Sequence, residues 1–133
     1  MALSPSFIDT PRIGVGTLDT AQTSRASGTT SNVVDVITGA ASGTRILEVV
    51  VKATDDPADC TVVLWLYDGS TNHVWDEIDL GNPAAGSATV TSYRGTVTYS
   101  NLVLPNASWK LQASITATPT AGAVKVIALG GDL

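Results

Sequence analysis

The sequence predicts an all-β protein, a single antiparallel β-sandwich, and three observations carry this prediction. Residues 45–80 hold three strand-like runs separated by tight turns rich in Asp, Pro and Gly. Residues 60–67, CTVVLWLY, are apolar on both alternating faces, which is typical of a strand covered on both sides. No segment keeps a helical period for longer than a turn or two.

The first eleven residues, 1–11, are predicted to form an extended arm outside the sandwich, because they contain two prolines and show little periodicity. Residues 12–133 are predicted to form one sandwich domain, since a chain of 133 residues suits a single hydrophobic core.

The first half of this domain contains three predicted strands. Residues 12–20 and 32–38 are short strands on either side of a polar loop rich in Ser, Gly and Thr. In the third strand, residues 45–53, we expect Leu47, Val49 and Val51 to face the core and Glu48 and Lys52 to face solvent.

The second half begins with the doubly covered strand 60–67 and a short turn into residues 73–80. Residues 87–100 form one strand, or two with a bend at Gly95, and residues 101–108 are predicted to be an irregular return. Residues 109–117 alternate cleanly, with Trp109, Leu111, Ala113 and Ile115 on the apolar face, and residues 123–131 form the last strand. About eight strands at these spacings favour a jelly-roll-like sandwich, with an immunoglobulin-like arrangement as the alternative.

Composition and charge exclude several function classes. Charged residues are 14% of the chain and the formal net charge is −5, with the basic residues scattered singly, so no phosphate-binding stripe exists and we expect no nucleic-acid partner. No run has the length of a membrane span, and no signal-peptide pattern begins the sequence, so we expect no membrane partner. Cys60 is the only cysteine, and it predicts folding in a reducing cytoplasm.

An acidic turn is the first candidate for a ligand site. Asp55, Asp56 and Asp59 crowd one loop, and carboxylates of this kind can hold calcium. Three carboxylates are few for calcium, and an Asp-Pro turn uses Asp to bond its own backbone, so we predict no metal and no cofactor. Whether these residues contact a partner stays open.

Candidate catalytic residues do not converge in the predicted sheet. Asp76 and Glu77 are consecutive strand residues and should point to opposite faces. His73 and Cys60 lie at opposite ends of neighbouring strands, which argues against a Cys-His nucleophile pair. We therefore expect no catalytic residues and no enzyme activity.

The aromatic residues allow two interpretations. Three tryptophans and three tyrosines could form a sugar-binding platform, but aromatic side chains more often fill cores and interfaces. A carbohydrate-binding or receptor-binding module would need several of them exposed on one face.

Three segments of the chain resemble small virion structural proteins of tailed bacteriophages, of the accessory head type. They are ATDDPADCTVVLWLYDGSTNHVWDEIDL, NLVLPNASWKLQAS and VIALGGDL, and the similarity covers the chain from about Arg45 onward. The motif is L-x-L-x-D-G-x-x-N-x-x-W-D-E-I, formed by Leu64, Leu66, Asp68, Gly69, Asn72, Trp75, Asp76, Glu77 and Ile78, followed by a terminal GGD.

This resemblance implies a non-enzymatic virion protein, with a capsid decoration or cement protein on the outer surface of the head as the first expectation. Its partners would be the major capsid protein and further copies of itself, with a trimer favoured. The protein would be made in the host cytoplasm and would end on the capsid surface. A neck, tail or fibre component is the alternative. The candidate partner contacts are Ser4, Phe7, Ile8, Arg12 and Trp75.

Overall fold

A computed structural model describes residues 8–133, and this part of the chain forms eight β-strands and no helix. The strands are β1 (Thr10–Leu18), β2 (Val34–Thr38), β3 (Thr44–Ala53), β4 (Cys60–Tyr67), β5 (Asn72–Gly81), β6 (Arg94–Leu104), β7 (Lys110–Ile115) and β8 (Val124–Asp132). Within these residues there is accordingly no helix long and apolar enough to cross a membrane. The all-β prediction is confirmed.

The strands form two four-stranded antiparallel sheets that pack as a sandwich. Sheet A has the order β1-β8-β3-β6 and sheet B the order β2-β7-β4-β5. The pairs β4 with β5, β3 with β6, β2 with β7 and β1 with β8 are nested, as if one long hairpin had been rolled up. This nested pairing is the jelly-roll arrangement rather than the immunoglobulin-like alternative.

Consecutive strands run in opposite directions, so the loops alternate between the two ends of the sandwich. The loops 39–43, 68–71 and 105–109 lie at one end, here named the short-loop end. The loops 19–33, 54–59, 82–93 and 116–123 begin at the opposite, long-loop end. Residues 8–9 and Leu133 lie at the short-loop end, because β1 starts there and β8 finishes there.

The core lies between the sheets and is built by alternate strand residues. Val62 and Leu64 of β4 face Val49 and Val51 of β3, and all four side chains are fully buried. The predicted apolar face of β7 is confirmed, since Leu111, Ala113 and Ile115 are 0% exposed and Trp109 packs against the same cluster. Each such aliphatic side chain contributes about 1.5–3 kcal/mol relative to an exposed position.

Both boundaries of β6 were predicted wrongly. Strand β6 is continuous from Arg94 to Leu104, so the first four residues of the expected irregular return belong to it. The reason is long-range pairing: Leu102 lies opposite Ile46, and Leu104 lies opposite Thr44, which buries both leucines. Residues 87–93 lie in the loop before this strand rather than in it.

The expected facing of Leu47 was also wrong. A β-bulge lies between Ile46 and Glu48, where the register with both neighbouring strands shifts. The extra residue reverses the alternation, so Ile46 is 0% exposed and Leu47 is 42% exposed. Val49 and Val51, beyond the bulge, face the core as expected.

The predicted arm, residues 1–11, overlaps the first strand. Residues 1–7 lie outside the described part of the chain. Thr10 and Pro11 are the first two residues of β1, opposite Asp132 and Gly131 of β8.

Candidate functional site

The candidate partner contacts lie in two separate places. Ser4 and Phe7 are outside the described residues, whereas Ile8 is half-buried beside the start of β1. Arg12 lies in β1 of sheet A. Trp75 lies in β5, an edge strand of sheet B, so the structure does not bring it together with Ile8 and Arg12.

Arg12 is engaged within the protein. Its Nη1 donates hydrogen bonds to the Thr38 carbonyl at 2.8 Å, to Thr44 Oγ1 at 3.3 Å and to Asp132 Oδ1 at 3.0 Å. The Thr44 hydroxyl also donates to Asp132 Oδ1 at 2.8 Å. These bonds tie four strands together at the short-loop end, and they leave Arg12 with a structural role.

The Asp132 carboxylate is stabilised in its charged form by this cluster. The hydrogen bond from Thr44 lowers the pKa of Asp132, and the hydrogen bond and charge of Arg12 lower this pKa further. A lowered pKa in the folded state means that the contribution to stability is present above the unfolded pKa of about 4 and is lost as the pH falls through the folded value.

We therefore predict a pH-dependent difference in the free energy of unfolding between the wild type and Asp132→Asn. The variant should be less stable at pH 7, and the difference should shrink as the pH falls below about 4, where the unfolded carboxyl protonates. Urea unfolding followed by circular dichroism between pH 7 and pH 3 measures it. A difference that stays constant over this range would contradict the assignment.

Trp75 is the most exposed aromatic side chain among residues 8–133. Trp75 is the extra residue of a β-bulge in β5, between the residues that pair with Leu64 and Trp65 of β4. The bulge turns the Trp75 ring outward, and Trp75 is 45% exposed. The ring lies 6.0 Å from that of Tyr99 at a tilt of 48°. The Tyr99 hydroxyl donates to Asp76 Oδ2 at 2.8 Å, and burial together with this hydrogen bond raises the pKa of Tyr99.

The neighbouring acidic residues diverge as the strand alternation predicts. Asp76 contacts Tyr99 of sheet A, whereas Glu77 forms an ion pair with Arg25 on the other side of β5. Their carboxylates therefore do not share a site for acid-base chemistry.

The remaining described aromatic residues do not extend the surface around Trp75 into a platform. Trp65 is 0% exposed, and Trp109 packs against the core. Tyr67 lies beneath Lys110, with Nζ 5.6 Å from the ring centroid. Within the described part of the chain, Trp75 alone offers a broadly exposed ring.

The outer face of sheet B is covered by residues 19–33, here named the covering loop. The Gln22 amide donates to the Ile115 carbonyl at the long-loop end, and the Gly28 amide donates to the Asn72 carbonyl at the short-loop end. The loop thus runs the length of the sheet. The side chains of Val63 and Trp65 point toward it, which accounts for their burial on the face opposite the core.

A hydrogen-bonded chain of Ser27, His73 and Asp68 was missed by the sequence reasoning, which compared His73 only with Cys60. Ser27 Oγ lies 3.1 Å from His73 Nδ1, and His73 Nε2 lies 3.3 Å from Asp68 Oδ2. Hydrogen bonds from the backbone amides of Thr71 and Ser70, then from His73, lower the pKa of Asp68. Nothing in the sequence pattern places Ser27, which lies in a distant loop, beside His73.

These residue types also form the Ser-His-Asp group of acyl-transfer enzymes. Here, however, the His73 side chain is 52% exposed, and the Gly28 amide that follows Ser27 already donates to the carbonyl and side chain of Asn72. That amide is therefore unable to stabilise an oxyanion. The hydrogen bonds between Ser27, His73 and Asp68 instead fasten the covering loop to the turn between β4 and β5.

A small polar recess lies beside the same turn, with a volume of about 250 Å³. Tyr67, Asn72 and Gln112 line it. The Asn72 amide nitrogen donates to the Thr29 carbonyl and to Gln112 Oε1, and its oxygen accepts from the Gly28 amide. The polar groups of the Asn72 side chain are thus satisfied within the protein. The volume of the recess is below that of typical ligand pockets.

The acidic loop 54–59 forms a turn of the kind that Asp-Pro sequences favour. Asp56 Oδ1 accepts from the Ala58 amide at 3.2 Å, and Ala58 has a φ of 62°. Among residues 8–133, no three His, Cys, Asp or Glu side chains are close enough together to hold a metal ion. Cys60, next to this loop, is buried, and burial followed by the charges of Asp59 and Asp79 raises the pKa of its thiol to about 11.

The outer face of sheet A, in contrast to that of sheet B, carries exposed apolar side chains. Ile13 is 70% exposed and Val15 is 55% exposed, and they lie opposite the partly exposed Leu129 and Ile127 of β8. Leu47 of β3 adds a further exposed side chain beside Leu129. We name these five residues the apolar patch.

Comparison of the chain with protein-family models, with curated proteins and with solved structures found no match. The resemblance to phage virion proteins therefore stays a prediction.

Proposed function

We propose that this protein is a non-enzymatic structural protein of a tailed-phage virion, and that it acts as a decoration or cement protein on the outer surface of the head. Its partner is the major capsid protein. The observation that carries the proposal is the apolar patch on the outer face of sheet A, in the middle of β1 and β8. The function needs no cofactor.

The two outer faces of the sandwich differ in how far they are covered. Sheet B is closed off by the covering loop, so the outer face of sheet A is the flat surface left for adhesion. Few charged groups need to be desolvated there, since the five residues of the patch are aliphatic and Glu48, opposite Leu129, is the one charged residue paired with them. The contact area of one copy is modest, but many copies on one lattice gain affinity through multivalency, more so as a trimer.

Cosedimentation with mature capsids that lack the protein tests the proposal. The purified protein should saturate at a copy number set by the capsid lattice, with tails alone as the control. Binding only to tails would favour a neck, tail or fibre component, and binding to neither would overturn the virion assignment.

We predict that Val15→Asp reduces capsid binding at least about tenfold, because burying an unpaired carboxylate in an apolar contact costs more than about 1.4 kcal/mol. Val90→Asp is the matched control, since Val90 is 45% exposed and lies in the loop 82–93. Deleting residues 1–7 should also weaken binding without unfolding the sandwich. Equal binding by Val15→Asp and Val90→Asp would exclude the apolar patch as the contact.

Trp75 favours a second candidate function, a carbohydrate-binding or receptor-binding module, because its exposed ring could stack on a sugar. A glycan array would show binding by the wild type that is lost in Trp75→Ala. No signal in either protein would remove the support for this alternative.

A further inference from the structure

The fold brings together three basic residues that are far apart in the sequence. Arg94 of β6 lies opposite Lys52 of β3, and Lys52 lies opposite Lys125 of β8, so the three side chains share one face of sheet A. This face is the outer one, because Lys125 is two residues from Ile127 of the apolar patch and side chains alternate along a strand. We name the three residues the basic row. Its ends are two strand spacings, about 10 Å, apart.

Within the described part of the chain, no carboxylate forms an ion pair with the basic row. Lys52 Nζ donates to the Ser92 carbonyl at 3.1 Å and to the Ser92 hydroxyl at 3.0 Å. Lys125 Nζ donates to Thr17 Oγ1 at 2.7 Å, and Arg94 is exposed. The protein therefore leaves the three positive charges of the row without a negative charge beside them.

The basic row is arranged at a cost to the fold. Like charges directly opposite each other on neighbouring strands destabilise a sheet. Three of the other four basic residues, Arg12, Arg25 and Lys110, each form an ion pair with a carboxylate, although the net charge of −5 supplies acidic side chains in excess. Three neighbouring cations without such a partner indicate that an anionic partner binds there.

The surroundings of the basic row suit an extended protein segment. Val15 and Ile127 of the apolar patch form the next outward pair along β1 and β8, about 7 Å from Lys125. A recess of about 500 Å³ lies at the other end of the row, lined by Lys52 and Arg94 but not by Lys125, so a small anion in it would leave Lys125 unused. The adjoining aliphatic side chains offer no ring on which a nucleotide base could stack.

We propose that the outer face of sheet A binds an extended acidic segment of a partner protein. Carboxylates of that segment lie on the basic row, and its aliphatic side chains lie on the neighbouring part of the apolar patch. Arg94 and Lys125 bond the carboxylates, whereas Lys52, which already donates to Ser92, contributes its charge. This partner chemistry rests on the proposed function, because it describes the capsid surface that the same face would contact.

Amide shifts of the ¹⁵N-labelled full chain test this binding, with a short end-blocked peptide of alternating Glu and Val as the probe. The peptide should shift the amides of Lys52, Lys125 and Ile127. Raising the salt concentration from about 0.02 M to about 0.2 M should weaken its binding several-fold, because salt screens exposed charges. The same peptide with Lys in place of Glu should not bind, and one with Ser in place of Val should bind more weakly. Equal affinity for any two of these peptides, or shifts confined to other faces, would overturn the proposal.

Arg94→Gln combined with Lys125→Gln should weaken binding of the Glu–Val peptide at least about fivefold, because two ion pairs with the peptide are lost. Arg25→Gln combined with Lys110→Gln is the matched control. It changes the net charge equally, but at residues that form ion pairs elsewhere in the protein, so its affinity should stay within about twofold of the wild type.

Thermal unfolding of the same two double variants provides a second readout. The variant of the basic row should unfold at the higher temperature, since it loses contacts between like charges where the control loses ion pairs. A lower unfolding temperature would assign the row to the stability of the fold and would overturn the proposal. Equal peptide binding by the two double variants would do the same.

Two further outcomes would identify a different occupant. A single-stranded oligonucleotide that bound the basic row more tightly than the peptide would indicate a nucleic-acid site. Shifts at the row that depend on the protein concentration alone would indicate a second copy of the chain, and either result would overturn the proposal. No capsid is present in these experiments, so absence of peptide binding would leave the cosedimentation result standing, and failure of cosedimentation would leave the peptide result standing.

Discussion

Replacing Trp65 by alanine is expected to lower the free energy of unfolding by about 3–5 kcal/mol, as is usual for truncating a fully buried tryptophan. The side chain is 0% exposed on the outer face of sheet B. Its Nε1 donates to Ser114 Oγ at 2.9 Å, and Ser114 is itself 0% exposed. The substitution therefore leaves both a cavity and an unpaired buried hydroxyl beneath the covering loop.

Urea unfolding followed by far-ultraviolet circular dichroism measures this loss without relying on the fluorescence of the removed residue. Trp75→Ala is the matched control. It removes the same side chain from a position that is 45% exposed, and its cost should be about 1 kcal/mol from the lost packing on Tyr99. Similar costs for the two variants would contradict the burial of Trp65 beneath the loop.

The second large effect is expected for Gly130→Ala. Gly130 lies in β8, between Arg12 of β1 and Ile46 of β3. An added Cβ would overlap the Arg45 carbonyl oxygen and would lie 3.0 Å from Ile46 Cα. Backbone atoms on a neighbouring strand cannot move aside as a flexible side chain can, so we expect a loss of about 3 kcal/mol or more.

Gly81→Ala separates this collision from a general cost of replacing glycine. Gly81 has a φ of 62°, but no atom lies within 4 Å of an added Cβ. Its substitution should cost about 1 kcal/mol through backbone strain alone. Thermal unfolding of both variants gives the comparison, and a Gly130→Ala protein as stable as Gly81→Ala would show that β3 and β8 are farther apart than described.

The sequence carried enough information to locate most strands, because their alternation and their turn residues are local. It could not show that residues 101–104 extend β6, since that depends on pairing with β3, more than fifty residues earlier. It also could not show the bulge at Leu47, which arises where three strands meet. The nested strand order is likewise a property of long-range pairing.

The candidate surfaces were less predictable than the strands. The alternation of Ile13 and Val15 with Gly14 and Gly16 does carry a signal, because glycines on the inner side leave the aliphatic residues on the outer side. The burial of Trp65 on the outer side of sheet B was predicted from the two apolar faces of residues 60–67, and it is confirmed. The sequence did not show which segment provides the cover, because the covering loop is polar and lies far away in the sequence. The same holds for the contact between Ser27 and His73.

The nested pairing of β1 with β8 has a practical consequence for attaching probes. Thr10 and Asp132 lie directly opposite each other, so anything fused before Ile8 or after Leu133 leaves the molecule at one corner of the short-loop end. The loops 82–93 and 116–123 lie at the other end, about 30 Å away along the nine residues of β1. A fluorophore or an affinity peptide inserted there would keep clear of that corner, whereas one joined directly to Ile8 or to Leu133 would crowd it.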